Sequence, residues 1–87
     1  MISMELVSYS VRGDHIDMKG LGEDGKAVIF FTLRAGDIKE YGYNTRGLLI
    51  DTEPFGQLNV EIKGGGDRAA FKHALDELAP GKQEEGS

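Results

Sequence analysis

The stretch that decides the fold is Gln57-Leu58-Asn59-Val60-Glu61-Ile62-Lys63-Gly64-Gly65-Gly66-Asp67-Arg68-Ala69-Ala70-Phe71-Lys72-His73-Ala74-Leu75-Asp76-Glu77-Leu78. Its first seven residues alternate strictly, with Leu58, Val60 and Ile62 apolar between polar neighbours, the period of a half-buried strand. After three glycines the period changes. Ala70, Phe71, Ala74, Leu75 and Leu78 recur at three- and four-residue spacing, one stripe of an amphipathic helix. Asp67 is placed to cap that helix, and Pro80-Gly81 ends it. The helix is expected over 67–79.

Everything upstream of this stretch reads as strand and turn. Val7, Tyr9 and Val11 alternate with serines in a first strand, about Met4 to Arg12, with those three residues expected to face inward. Gly13-Asp14 turns the chain into a second strand, about His15 to Leu21, with Ile16 and Met18 on one face. Gly22-Glu23-Asp24-Gly25 is a further turn. The third strand, about Lys26 to Arg34, is apolar on both faces, so it is expected either to be central and covered twice or to meet a partner with one face. A short helical turn at Asp37-Ile38 precedes a strand carrying Tyr41 and Tyr43. Leu48 to Thr52 follows, ended by a proline turn at Glu53-Pro54-Phe55-Gly56.

The sum is an α+β fold: a strongly bent antiparallel sheet, or half-barrel, of about six strands capped by one C-terminal helix. A single helical stripe needs a surface to cover, and a bent sheet offers its concave side. The 87 residues allow one domain, expected over 1–81, with 82–87 as a disordered tail that has no apolar residue. Stability of about 4–13 kcal/mol follows from about 0.05–0.15 kcal/mol per residue, which leaves little to hold a deep pocket of strained groups.

Composition narrows function. There are no cysteines, which removes thiol catalysis, zinc ribbons and iron–sulfur clusters. The longest apolar run, Ala27 to Phe31, is far short of the roughly 20 residues that span a bilayer. No signal peptide is visible at Met1-Ile2-Ser3-Met4-Glu5, so a cytoplasmic location is expected. The net charge of −5 argues against direct nucleic-acid binding, which needs clustered Lys and Arg. Asp76, Glu77, Glu84 and Glu85 face only Lys82 in the last twelve residues, so most of the excess lies at the C-terminus and the body is close to balanced.

The order of elements resembles the bacterial pleckstrin-homology-like (PH-like) domains over about residues 5–79. The stretches that carry the likeness are Ile29-Phe30-Phe31-Thr32-Leu33-Arg34-Ala35-Gly36-Asp37-Ile38, Gly47-Leu48-Leu49-Ile50-Asp51-Thr52 and Asp67 to Leu75 with Phe71 near the helix start. In that family a strand leads into a polar–Ile turn, a glycine opens the next strand, and a final helix caps the barrel. A seventh strand is usual there; six are counted here. The resemblance implies a binding scaffold, not a catalyst. Lipid-binding members carry several basic residues on the first hairpin, whereas here Lys19 alone adds to Arg12-Gly13-Asp14-His15, so phosphoinositide binding is not implied.

Each motif has a plain structural reading beside its functional one. Gly20-Leu21-Gly22-Glu23-Asp24-Gly25 matches the dinucleotide G-x-G-x-x-G, but a strand follows it rather than a helix, so a hairpin turn is expected. Gly64 to Gly66 with Lys63 and Arg68 is an anion-site candidate, with Lys63, Gly65, Gly66 and Arg68 as its residues; a flexible connector is the rival reading. Arg12-Gly13-Asp14 reads as a turn. His15 and His73 lack a nucleophile and an orienting group in any local signature. Tyr41 and Tyr43, two apart, share a strand face and with Phe55 combine apolar area with polar ends suited to an interface; core packing is the alternative.

The functional expectation is a non-catalytic module that presents a surface to a protein partner, with Tyr41, Tyr43, Phe55, Glu40 and Asp51 as its contacts and self-association into a homodimer through the third strand. Two alternatives accompany it: a small phage-type inhibitor, anti-defence or anti-CRISPR-like, blocking a basic nucleic-acid-handling host protein, and a small-ligand or anion binder. No cofactor, metal or membrane partner is expected.

Overall fold

The computed structural model describes residues 1–83. Six strands and one helix follow in the expected order: β1 (Ile2–Arg12), β2 (His15–Leu21), β3 (Val28–Arg34), a 3-10 turn (Ala35–Asp37), β4 (Ile38–Tyr43), β5 (Gly47–Thr52), β6 (Gly56–Glu61) and α1 (Gly65–Leu78). The α+β class with a curled sheet and a single C-terminal helix is the architecture found. No helix among the described residues is long and apolar enough to cross a membrane.

The strands form one sheet in the order β3-β2-β1-β6-β5-β4. It consists of two three-stranded antiparallel meanders, β1–β3 and β4–β6, joined where β1 runs parallel to β6 with Ile2 opposite Leu58 and Met4 opposite Val60. The sheet is therefore mixed, and the parallel seam is not legible locally: it depends on the meeting of residues 56 apart in the chain, as Ile2 and Leu58 are. β3 and β4 are the two edges, yet only the 3-10 turn separates them in sequence. The sheet must curl until those edges approach at that end. Among the described residues no ladder closes the gap, and α1 covers the concave side.

Alternation along the strands sets the inner face. Ile16, Met18, Leu33, Leu48, Ile50, Leu58 and Val60 are buried there, and Phe71 and Leu75 reach it from the helix. Phe71 packs edge-on against Tyr9, with ring centroids 5.0 Å apart. Fully burying side chains of this size stabilises the fold by about 1.5–3 kcal/mol each. Gly20 and Gly47 are required by close approach. A Cβ on Gly20 would lie 2.9 Å from the Glu5 carbonyl oxygen, and one on Gly47 would collide with the Val60 carbonyl oxygen.

Several expectations are corrected. Val7 does not face inward; it is 54% exposed. A bulge lies between Leu6 and Ser8, and one extra residue reverses the parity of a strand. Met4 and Leu6 thus share the inner face with Tyr9 and Val11, which lie opposite Met18 and Ile16. Val11 stays half exposed at the far end of the strand. β3 is an edge strand and not a doubly covered centre. α1 begins at Gly65 with Gly64 as its N-cap and no side-chain cap. Asp67 instead stands inside the first turn, where its charge complements the helix dipole. Lys82 and Gln83, assigned to the tail, lie against β4: the Tyr41 N–H donates to the Lys82 carbonyl, Lys82 Nζ donates to the Ile38 carbonyl at 3.0 Å, and Gln83 bridges Tyr41. The rest of the expected tail, 84–87, lies outside the described residues.

Candidate functional site

Residues directly opposed on neighbouring strands point to the same side of a sheet. On the convex side of the first meander, Phe30 lies opposite Lys19, Val28 opposite Leu21, and Thr32 opposite Asp17. Phe30 is 76% exposed and Val28 52%. Leu21 beside them is half-buried, and Val7 is exposed at the β1 bulge. Val28, Phe30 and Leu21 make an apolar patch over β2 and β3 bordered by the Lys19 ammonium, and Val7 lines a separate groove beside Lys63. Surface of this kind is uncommon on small folded chains unless something covers it. On the concave side of the same edge, Phe31 is half-buried and meets Phe55 edge-on at 5.2 Å. Phe55, in the β5–β6 turn, remains 50% exposed. That turn is held by Thr52, whose hydroxyl donates to the Gly56 carbonyl and accepts from the Phe55 N–H.

The second meander presents a different convex side. Glu40 lies opposite Asp51, and Glu61 is opposite both Gly47 and Glu5. Among the described residues none of Glu40, Asp51 and Glu61 has a cation within ion-pair distance, whereas Glu5 is met by Lys63 at 3.1 Å. An open cleft of about 400 Å³ continues this surface towards the β2–β3 turn, lined by Arg46 together with Glu5, Glu23 and Glu61.

The expected partner residues are not gathered on one face. Tyr41 and Tyr43 do share a face, since they lie opposite Ile50 and Leu48, but it is the inner one. Tyr41 is 1% exposed and presents no surface. Its hydroxyl donates to Asp76 at 2.6 Å, and Lys72 Nζ donates to both oxygens of the same carboxylate at 3.2 and 3.0 Å. Burial, then the Asp76 hydrogen bond and charge, push the phenol above its ordinary value. The Tyr41 hydrogen bond, then Lys72, hold the Asp76 carboxyl below its own. This triad ties α1 to β4. Tyr43, at the strand end, is 47% exposed, with the Lys72 ammonium 5.9 Å from its ring centroid. Glu40 and Asp51 are neighbours on the convex side, and Phe55 stands apart at the turn. Phe30, the most exposed of the aromatic residues in the described part, is not among the contact residues expected from the sequence. Its signal was present in the doubly apolar third strand, but only the strand order showed which face lacks cover.

The other candidates resolve locally. The anion-site residues Gly65 and Gly66 form the first turn of α1, and Arg68 follows them. Lys63 is engaged with Glu5, and a groove of about 240 Å³ beside Lys63 and Gly64 is also lined by Glu5 and Asp67, carboxylates that oppose an anion. The G-x-G-x-x-G stretch is a hairpin turn closed by the Gly22 N–H donating to Ala27, with Asp24 accepting from the amides of Lys26 and Ala27. Ser8 and Ser10 lie opposite Lys19 and Asp17, while His15 lies opposite Arg12, so the register sets no serine across from the imidazole. His15 contacts Asp14 at 3.0 Å and Asp17 at 3.8 Å, and His73 contacts Glu77 at 3.1 Å on the exposed side of the helix. No protein-family model matches the chain, and neither a curated protein nor a solved structure does.

Proposed function

We propose that the chain is a non-catalytic binding module that presents the convex side of its first meander to a protein partner. The observation that carries this reading is the exposed Phe30, flanked by Val28 and Leu21 on a regular edge meander. An aromatic side chain with large unburied area is the residue type that anchors interfaces. The sequence likeness to PH-like domains carries the same implication of a scaffold. The test is co-purification with the tagged chain from its own host extract. A partner retained by the wild type and lost by Phe30→Asp, with an unchanged circular-dichroism spectrum, supports the reading. A partner retained equally by both overturns it.

A second reading is favoured by the unpaired Glu40, Asp51 and Glu61: an inhibitor of phage type that occupies a basic nucleic-acid-handling site. Binding through those carboxylates weakens steeply with salt and is lost in Glu40→Gln/Asp51→Asn. Salt-independent binding excludes it. An anion-binding role at Gly65 and Arg68 is third, because the neighbouring cation Lys63 is already paired; a Lys63→Ala/Arg68→Ala chain that keeps every measured ligand affinity removes it.

A further inference from the structure

The hydrogen bonds at the two ends of β3 settle which of its peptide groups are free. The Gly22 N–H donates to the Ala27 carbonyl at 2.8 Å, and the Ala35 N–H donates to the Asp14 carbonyl at 2.9 Å. Both pairs continue the β2–β3 register beyond its ends. Bonded and non-bonded pairs alternate along an antiparallel ladder. Ile29, Phe31 and Leu33 therefore bond β2, and the N–H and C=O groups of Val28, Phe30, Thr32 and Arg34 point to the open edge. Among the described residues β3 pairs with β2 alone. The β2–β3 register has no bulge, and β3 holds no proline and a single charge, Arg34, at its end. Such an edge is a template for another strand.

The geometry points to a second copy of β3 as that strand, antiparallel about a twofold axis at Phe31. This deepens the surface-presenting reading above and rests on it. With Phe31 on the axis, Val28 lies opposite Arg34 of the second copy and Phe30 opposite Thr32. Every outward N–H and C=O of the four residues then finds a partner. The side chains match as well. On the concave side the two half-buried Phe31 rings come together beside Phe55, while Leu33 stays in its own core; on the convex side Phe30 packs on the Thr32 methyl and Val28 on the Arg34 stem. Each Arg34 is carried to the Val28 end of the other copy, beside the turn that holds Glu23 and Asp24, so the charge at one end of the strand finds acidic groups at the other. A slip of one residue would set outward peptide groups against inward ones and lose the ladder. Two six-stranded sheets would join as one through an interface that uses the same patch on both copies.

The test is the oligomeric state of the full chain by sedimentation equilibrium, from dilute to near-millimolar concentration. Thr32→Pro removes an outward N–H on each copy while leaving the β2 ladder intact, because the Thr32 N–H does not serve that ladder. It should weaken dimerisation by about thirtyfold, the equivalent of two lost hydrogen bonds at about 1 kcal/mol each. Phe30→Lys changes an exposed side chain and should act in the same direction. Both variants should keep the wild-type circular-dichroism spectrum. A wild type that stays monomeric throughout overturns the pairing, as does a dimer indifferent to both substitutions. A monomeric wild type that still captures a protein through Phe30 overturns the pairing and leaves the binding-module reading standing.

Discussion

β3 and β4 are both edge strands of one sheet and neighbours in the chain, yet they meet solvent in opposite ways. β4 carries a bulge between Ile38 and Glu40, charged residues at Lys39 and Glu40, and a strap of Lys82 and Gln83 along its outer side. These are the devices by which sheets discourage further pairing. β3 has a straight register and apolar side chains on both faces. The convex surfaces follow the edges: apolar around Phe30, acidic around Glu40 and Asp51. One small sheet thus carries a protected edge and an open one.

The comparison depends on both meanders being held by one plug, and the largest expected effect breaks that. Phe71 is fully buried between them. Phe71→Ala should cost about 3–5 kcal/mol, a large share of the whole stability, and chemical denaturation should show both meanders unfolding together. Gly47→Ala attacks the second meander alone through the Val60 backbone. Overpacking of this kind costs about 1–3 kcal/mol, read as a shift of the denaturation midpoint. Deleting residues 82–87 uncovers the β4 edge and removes the bonds to Ile38 and Tyr41. A loss of about 1–2 kcal/mol is expected, with new concentration-dependent association that would erase the contrast between the edges.

A smaller effect concerns acid. The Asp76 carboxyl is held below its ordinary value by the Tyr41 hydroxyl and Lys72. The folded chain therefore binds fewer protons than the unfolded chain near that value. The contribution is present above the unfolded carboxylate pKa of about 3.9 and is lost as pH falls through the lower folded value. The thermal midpoint of the wild type should fall with acid more steeply than that of Asp76→Asn over this range. The smallest effect sharpens the comparison most. Phe30→Ser, at a site 76% exposed, should change stability within about ±0.5 kcal/mol, which separates an exposed aromatic side chain from Phe71, a residue of the core.

How much of this was legible varies element by element. β2 is found at its expected bounds, and the helical stripe of Phe71, Ala74 and Leu75 is buried as its spacing predicts. Ala70, read as part of that stripe, is exposed. Strict alternation points Val7 inward because a bulge is a property of two strands in register, and the alternation carries no sign of it. Tyr41 was ambiguous because a tyrosine in a strand suits either core or interface; the carboxylate that buries it comes from Asp76, 35 residues away.

The sequence by itself determined the elements and their order: six short strands and one terminal helix with a period of 3.6. These are local quantities, set by backbone geometry and by which side chains avoid water. Only the tertiary structure decided the strand order, the parallel seam between β1 and β6, and hence which strands are edges. Those depend on how distant strands share backbone hydrogen bonds, and every strand carries the same donors and acceptors whatever its side chains. The doubly apolar run at Val28 to Leu33 announced that something must cover it; the strand order showed that this chain leaves its convex side open.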